Sequence, residues 1–201
     1  GSHLVKKLVN QGDQVVVLDN LLRGNKLDKS IMASIDFIIG DIRDKETVIS
    51  VSEDCDYIYH LAAILGVDIV ADNPVETMET ETVGMQNIAE AAVIHSIRKI
   101  IYASTSGIYG RTAIERSVKE EIQLDPRTSY AIAKRFNEIY LAALYEQKGI
   151  ESLSLRFFNI YGPRQDSRMV IPRFFDQALK NAEITVYGKG NQQRGFLPLR
   201  D

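Results

Sequence analysis

The chain has 201 residues, 45% of them hydrophobic and 25% charged, which is the composition of an ordinary globular protein with a sizeable core. Its formal net charge of -3 carries no basic excess and argues against nucleic acid as a partner. The lone Cys55 cannot form an intrachain disulfide, and no apolar run approaches the length of a membrane span. Since no signal peptide is recognisable, we expect a cytoplasmic location.

Short apolar runs alternate with helix-like segments along most of the chain. The predicted strands are 14–19, 35–40, 55–60, 99–104 and 150–156, and the predicted helices between them are 2–11, 45–52, 75–95 and 129–147. Strands that alternate with helices predict right-handed βαβ units and a parallel sheet covered on both faces. We therefore expect an α/β fold with a doubly wound parallel sheet.

Both ends of the chain depart from that pattern. A doubly wound nucleotide fold usually opens with a strand and a glycine-rich turn, whereas residues 1–8 already predict the helix that comes after such a turn. After Pro163 the pattern loosens into a helix over 171–180 and a short strand over 184–187. We divide the chain into a nucleotide-binding domain at 1–163, lacking its first strand, and the start of a smaller substrate-binding region at 164–201.

Two acidic residues come directly after predicted strands at positions suited to an adenosine. Asp19 can accept hydrogen bonds from both ribose hydroxyls and repels a 2′-phosphate, which favours NAD over NADP. A plain turn aspartate in Asp19-Asn20 is equally consistent with the sequence. Asp41 can receive the adenine amino group while Ile42 covers the ring, or it can simply cap the next helix.

The spacing of Tyr130 and Lys134 is the sharper signal. Residues four apart share one helix face, and an ammonium near a phenol favours the phenolate, lowering a pKa that is ~10 in model peptides. Such a phenol can take a proton from an alcohol while hydride leaves the carbon. A lone match of this kind is also typical of an exposed helix pair, so the motif needs support from elsewhere in the chain.

Hydroxyl side chains end the fourth predicted strand. Ser104, Thr105 and Ser106 lie where the ligand cleft of an open α/β sheet is found, so one hydroxyl could bind the reacting substrate oxygen. The alternative is a Ser/Thr-rich turn that caps the next segment, which is the commoner role. The three histidines lack ligand spacing, and we expect no metal site.

These motifs, in this order, resemble the extended short-chain dehydrogenase/reductases in their NAD-dependent epimerase/dehydratase branch. The resemblance runs over nearly all of the chain and is most specific in Leu-Arg-Phe-Phe-Asn-Ile-Tyr-Gly-Pro-Arg-Gln over 155–165. It implies a Rossmann-like fold, bound NAD and a nucleotide-sugar substrate, with Thr105, Tyr130 and Lys134 as catalytic residues. Tyr130 would take the proton of the sugar 4-hydroxyl, and Lys134 would hold the nicotinamide ribose.

The resemblance also assigns residues to the two ligands and implies a partner. For the cofactor it implies Gly1, Asp19, Asn20, Asp41, Ile42, Leu61, Ala62, Ala63, Ala103, Tyr130, Lys134 and Phe157. For the substrate it implies Ser104, Ser106, Asn159, Val170, Ile171, Tyr187 and Arg194. The long helices 75–95 and 129–147 would pair into a four-helix homodimer interface.

Departures from the family pattern bear on the reaction. Gly1 is all that remains of the glycine-rich loop, so we expect little turnover from the chain alone, and Glu81 replaces the usual asparagine. Dehydratases of the branch usually carry Asp-Glu after the catalytic threonine, and decarboxylases a glutamate at the second position, where this chain has Ser106 and Gly107. This favours a UDP-sugar 4-epimerase that works through a 4-keto intermediate.

Other activities stay open at the level of the sequence. A nucleotide-sugar 4,6-dehydratase or a UDP-glucuronate decarboxylase that uses another acid is the alternative among enzymes. A truncated, non-catalytic nucleotide-binding domain is the alternative of a different class. The segment Gln193–Asp201 departs from the commoner Arg-Asp-Phe ending, which leaves the sugar undefined.

Overall fold

The structure, a computed structural model, describes residues 1–64, 66–111, 118–186, 188–191 and 193–199. Helices and strands alternate along it as the periodicity predicts, and the predicted bounds that match an element lie within two residues of those observed. In chain order the elements are α1 (Ser2–Gln11), β1 (Val16–Asp19), α2 (Lys29–Met32), β2 (Asp36–Ile39), α3 (Lys45–Val51), β3 (Tyr57–His60), α4 (Val67–Asp72), α5 (Pro74–Ile94), β4 (Lys99–Thr105), a 3-10 turn (Ser106–Tyr109), α6 (Ser129–Lys148), β5 (Glu151–Phe157), β6 (Asn159–Tyr161), α7 (Val170–Leu179) and β7 (Phe196–Pro198).

Every strand pair in the described part of the chain is parallel, which confirms the predicted α/β class. Strand β1 pairs with β2, β4 lies between β3 and β5, and β6 pairs with β7. The β4–β5 register runs from Lys99 opposite Glu151 to Thr105 opposite Phe157. The carboxyl ends of β3, β4 and β5 therefore meet at one edge of the sheet, which is where open α/β sheets bind ligands.

The core lies between the sheet and the two long helices α5 and α6, which pack against each other. Among the described residues no helix combines the length and the apolar character needed to cross a bilayer. The buried apolar cluster draws on α3, α5, α6, β4 and the segments beside them, and it comprises Ile42, Val48, Met85, Ile88, Ala91, Ala92, Ile97, Ile100, Tyr102, Leu141 and Ile150.

Capping fixes where α6 begins and ends, and with it the height of the Tyr130 side chain above the sheet. The Thr128 hydroxyl accepts a hydrogen bond from the Ala131 backbone amide at 3.1 Å, which satisfies one of the free amides of the first turn. Gly149 ends the helix with φ 73°, a left-handed conformation that favours glycine. Tyr130 consequently lies in the first turn and Lys134 one turn later.

The region after Pro163 differs from the sequence prediction. The strand predicted over 184–187 is wrong for residues 184–186, which form no regular element, and Tyr187 lies outside the described residues. The Gln177 side chain accepts a hydrogen bond from the Thr185 backbone amide and donates one to the Thr185 hydroxyl. The Thr185 amide is therefore bonded to a helix side chain and not to a neighbouring strand. The strand of this region is β7 instead, which pairs with β6.

The turn after β4 is held against the segment that leads into α6. The Asp125 backbone amide donates to the Ile108 carbonyl at 2.9 Å. Gly110 adopts φ 58° and ψ -132°, and a Cβ built there would lie 2.0 Å from the Asp125 carbonyl oxygen. Only glycine fits this contact, because a side chain would require both a strained backbone and a displaced carbonyl.

We predict that Gly110→Ala lowers the free energy of unfolding by roughly 2–4 kcal/mol, from backbone strain plus steric overlap. Gly149→Ala is the matched control, because Gly149 also has a positive φ but meets no atom within 4 Å of a built Cβ. Gly149→Ala should lower the free energy of unfolding by about 1 kcal/mol, which is the cost of a left-handed backbone for a residue with a Cβ. Urea unfolding curves measure both, and equal losses would contradict the close-contact argument.

Candidate active site

The carboxyl ends of the central strands border a cleft of about 300 Å³. Predicted catalytic, cofactor and substrate residues meet in it, although they are far apart in sequence. Its lining comprises Leu61, Ala63, Ala103, Ser104, Thr105, Tyr130, Lys134, Phe157, Phe158, Asn159, Ile160, Gln165, Met169, Val170, Ile171 and Phe196. The convergence of these side chains identifies the cleft as the candidate active site.

Lys134 is fixed at the base of the cleft by two hydrogen-bonding partners. Its Nζ donates to the Ala103 carbonyl at 2.8 Å and lies 3.0 Å from the Glu81 Oε2 atom. The same nitrogen lies 4.6 Å from the centre of the Tyr102 ring and 5.5 Å from that of Tyr130. An ammonium has three donors, so one remains for a further acceptor such as a ribose hydroxyl.

The electrostatics of Tyr130 differ from the sequence prediction. Burial, and next the charge of Glu81, raise the pKa of Tyr130 above its ordinary value. The pKa of Tyr130 is thus raised and not lowered as the sequence predicted, chiefly because the phenol is buried. The Lys134 ammonium beside it lies at ion-pair distance from the Glu81 carboxylate. Burial lowers the pKa of Lys134 and raises that of Glu81, while each opposes the shift of the other.

The three hydroxyls at the end of β4 have different surroundings. Thr105 Oγ1 accepts a hydrogen bond from the Gly107 amide at 3.1 Å, so its own proton stays available to a substrate. Ser104 is buried, and its hydroxyl donates to Glu138 Oε1 at 2.6 Å. Ser106 is half-buried at the start of the 3-10 turn.

Glu138 organises a charged network behind the cleft wall. Its carboxylate accepts from Arg135 at 3.0 Å and from two nitrogens of Arg156 at 3.0 and 2.9 Å. Although burial opposes it, these donors and Ser104 hold the pKa of Glu138 below its ordinary value. The network fixes the Ser104 hydroxyl in place, and sequence inspection alone singled out neither Glu138 nor Arg156.

The residues predicted to bind the adenosine lie together at the ends of β1 and β2. Asn20 Nδ2 lies 3.5 Å from Asp41 Oδ2, which joins the ribose and adenine positions. Asp19 is exposed and accepts from the Leu21 amide through Oδ1. Arg43 donates to both Asp41 carboxylate oxygens and lowers the pKa of Asp41 to about 2. Asp41 is therefore a carboxylate at neutral pH, as an acceptor for an amino group must be.

Not all of the other predicted ligand-binding residues lie at the cleft. Gly1 precedes α1, Ile42 packs in the core, and Ala62 comes after β3 beside the cleft. Asn159 Nδ2 donates to the Gly195 carbonyl at 3.1 Å, and Arg194 Nη1 donates to the Gln193 carbonyl at 2.7 Å. Asn159 is thus tied to the segment that carries Arg194, another residue assigned to the substrate.

Several lining residues were not assigned a role from the sequence. Phe158, Ile160 and Gln165 lie inside the specific stretch 155–165, so that motif was the signal that could have found them. Phe196 reaches the cleft only because β7 pairs with β6, a long-range contact that no local pattern encodes. Among the described residues no group of three acidic, histidine or cysteine side chains is placed to hold a metal.

The cleft fits a dinucleotide in its chemistry. Leu61, Ala63 and Ala103 supply a wall of small apolar side chains, and Lys134 supplies a buried donor at one end. Outside the lining of the cleft, Asp19 at the end of β1 supplies an exposed carboxylate acceptor. Small apolar side chains beside a buried donor suit a ring system that carries ribose hydroxyls.

Known proteins match the chain over its length. It is 36% identical to the UDP-N-acetyl-alpha-D-glucosaminuronate decarboxylase of Bacillus cytotoxicus, covering 100% of the chain and 64% of that protein. Its fold matches UDP-glucose 4-epimerase of Thermotoga maritima, solved with UDP-glucose, with TM-score 0.91 and 30% identity over 100% of the chain and 66% of that structure. The UDP-glucose 4-epimerase of Thermus thermophilus in complex with NAD matches with TM-score 0.89 and 32% identity, over 98% of the chain and 67% of the structure.

The chain therefore spans about two thirds of the length of these relatives. The model of the NAD dependent epimerase/dehydratase family matches residues 1–201, which confirms the resemblance drawn from the motifs and makes NAD the cofactor of the family. Sequence, fold and family model agree, and the chain belongs to the NAD-dependent epimerase/dehydratase family.

Proposed function

We propose that this chain is the cofactor-binding and catalytic part of a nucleotide-sugar 4-epimerase, with a UDP-sugar as substrate. The observation that carries the proposal is the convergence of Thr105, Tyr130 and Lys134 on one cleft. Asn159 and Val170, assigned to the substrate, line the same cleft. The substrate would enter over α7 and β6, and the cofactor would lie along the ends of β3 and β4.

The residues divide the chemistry between them. Tyr130 would remove the proton of the sugar 4-hydroxyl, and Thr105 would donate a hydrogen bond to the same oxygen and hold it in place, while keeping its own proton. Lys134 would bind the nicotinamide ribose with its third donor. NAD, when bound, would supply the hydride chemistry at C4. In an epimerase, Tyr130 would return the proton to the sugar oxygen when C4 is reduced again.

The choice of epimerase rests on the residues that border the cleft. Elimination or decarboxylation chemistry at a 4-keto sugar needs an additional acid or base. Among the described residues that line the cleft none has a carboxylate, and Ser106 and Gly107 stand where the other branches carry acids. Because the chain is 36% identical to the decarboxylase of Bacillus cytotoxicus, decarboxylation is the second candidate reaction.

We also propose that the protein is a homodimer through α5 and α6. The outer face of α6 carries a stripe of exposed apolar side chains, Ile132, Phe136 and Ile139, opposite the face that packs on the core. Val75, Met78 and Val83 are exposed on α5. Large apolar side chains clustered on neighbouring helices are typical of a protein–protein interface.

The first prediction for the proposed enzyme concerns the base. In the complete enzyme of which this chain is a part, Tyr130→Phe should lower turnover by about a hundred- to ten-thousand-fold while NAD binding persists, because phenylalanine keeps the ring and lacks the proton acceptor. Thr105→Val should cost less. Tyr145→Phe, the same exchange at an exposed position of α6, is the matched control. Steady-state rates and calorimetric NAD binding measure these effects, and near-normal turnover of Tyr130→Phe would refute the assignment.

The second concerns the cofactor. The protein should bind NAD more tightly than NADP, because the Asp19 carboxylate repels a 2′-phosphate. Asp19→Asn should reduce the ratio of NAD affinity to NADP affinity, whereas Asp36→Asn at the start of β2 should leave this ratio unchanged. Calorimetric titration with each dinucleotide is the measurement. Tighter NADP binding by the unaltered protein would contradict the role of Asp19.

The third concerns assembly. Ile139→Glu should convert the dimer to a monomer, since a carboxylate would have to be buried in the apolar interface. Tyr145→Glu is the control, because Tyr145 is similarly exposed at 57%, against 54% for Ile139, but lies off the stripe. Light scattering at micromolar concentrations distinguishes the states. A monomeric unaltered protein would overturn the proposed interface.

A further inference from the structure

The ion pair beneath the cleft is sealed from solvent on both sides. Glu81 is 0% exposed and Lys134 is 1% exposed, and the Glu81 Oε2 and Lys134 Nζ atoms are 3.0 Å apart. Glu81 comes from the middle of α5, whereas Lys134 comes from α6, so the pair also joins the two helices. A carboxylate in such a place strongly affects its neighbours, because little water screens it.

Glu81 is held in a defined position by neighbours on two elements. The Tyr102 hydroxyl donates to Glu81 Oε2 at 3.3 Å, and the Asn137 amide donates to the Tyr102 hydroxyl at 2.9 Å and to the Glu81 backbone carbonyl at 3.0 Å. The second carboxylate oxygen, Oε1, is buried and has no hydrogen-bond partner among the described residues. Lys134 and the Tyr102 hydroxyl, both at Oε2, are therefore the donors that the described residues offer to this carboxylate.

The titratable groups around the pair come from four elements. Glu81 comes from α5, Lys134 and Tyr130 from α6, Tyr102 from β4, and His60 from β3, where its ring stacks on Tyr102. Burial, and next Lys134, lower the pKa of His60 to about 3, so this histidine stays neutral in the working range. Burial raises the pKa of Tyr102 well above its ordinary value. The groups in contact with the Glu81 carboxylate that can change protonation are therefore Lys134 and, through its charge, Tyr130.

We propose that Glu81 is a positioning residue that holds the Lys134 ammonium beneath Tyr130 and sets the pH at which the Tyr130–Lys134 pair gives up its first proton. This inference rests on the proposed function, because it concerns the base of that reaction. A negative charge beside two proton-binding groups favours their protonated forms, whichever of the two releases the proton first. Glu81 consequently moves the acidic limb of the rate profile to higher pH than the pair alone would give.

The test is Glu81→Gln, which removes the charge and keeps the size and one acceptor. Nuclear magnetic resonance of tyrosine ¹³Cζ and lysine ¹⁵Nζ, assigned with Tyr130→Phe and Lys134→Met, follows both groups of the pair without substrate. The first proton should leave at a pH lower by about one unit or more than in the unaltered protein. The acidic limb of the rate profile should move in the same direction, with sugar KM little changed.

Two further variants separate charge from packing. Glu81→Asp keeps the charge, so the titration midpoint of the Tyr130–Lys134 pair should stay close to that of the unaltered protein. Thr80→Val alters the neighbouring position of α5, where the hydroxyl is buried without a partner among the described residues, and should leave the titration unchanged. An unmoved midpoint in Glu81→Gln, or an equal shift in Glu81→Asp, would overturn the proposal. If the resonance titration shifts but no epimerisation is found, the proposed function fails and the role of Glu81 stands.

Discussion

A buried ammonium must be supplied with acceptors, and this requirement at Lys134 governs the architecture around the cleft. The Ala103 carbonyl at the end of β4 provides one acceptor, and the Glu81 carboxylate on α5 provides another. One side chain thereby joins the central strand to both long helices. Removing one partner of such a pair typically costs about 3–5 kcal/mol, so the arrangement holds only while β4, α5 and α6 keep their relative positions. The catalytic tyrosine of the proposed reaction shares α6 with Lys134 and inherits that placement.

The predicted adenosine site and the base of the cleft use charge in different ways. At the predicted adenosine site, Asp41 is half-buried, and Arg43 keeps it ionised through a bidentate contact. At the nicotinamide end, Glu81 is sealed in the core, where burial works against its ionisation and only Lys134 opposes burial strongly. The first site can take part in recognition directly. The second acts on the reaction through the residue it holds.

Much of this arrangement could be predicted from the sequence, but in unequal measure. Most strands and helices up to β5 show clear apolar periodicity. Thr105 belongs to a motif at the end of β4, and Tyr130 and Lys134 belong to a motif on α6. Short α2 and α4 have too few residues for periodicity, and β7 depends on pairing with β6, in which Asn159 lies opposite Phe196, 37 positions later. The raised pKa of Tyr130 could not be predicted from its spacing to Lys134, because it depends first on burial in the folded chain and next on Glu81, which comes from another helix. The sequence marked Glu81 only as a departure from the family pattern. It could not show the ion pair with Lys134.

The contact of Gly110 with the Asp125 carbonyl has a consequence for reaction entropy. The turn after Thr105 is held against the segment entering α6, and Gly107 packs near the Ala131 methyl at the start of that helix. Thr105 and Tyr130 therefore form a preorganised pair, whose relative freedom is removed when the chain folds and not when the sugar binds. Well-oriented groups of this kind act at a high effective molarity. A loosened turn would accordingly weaken catalysis at residues that it does not touch.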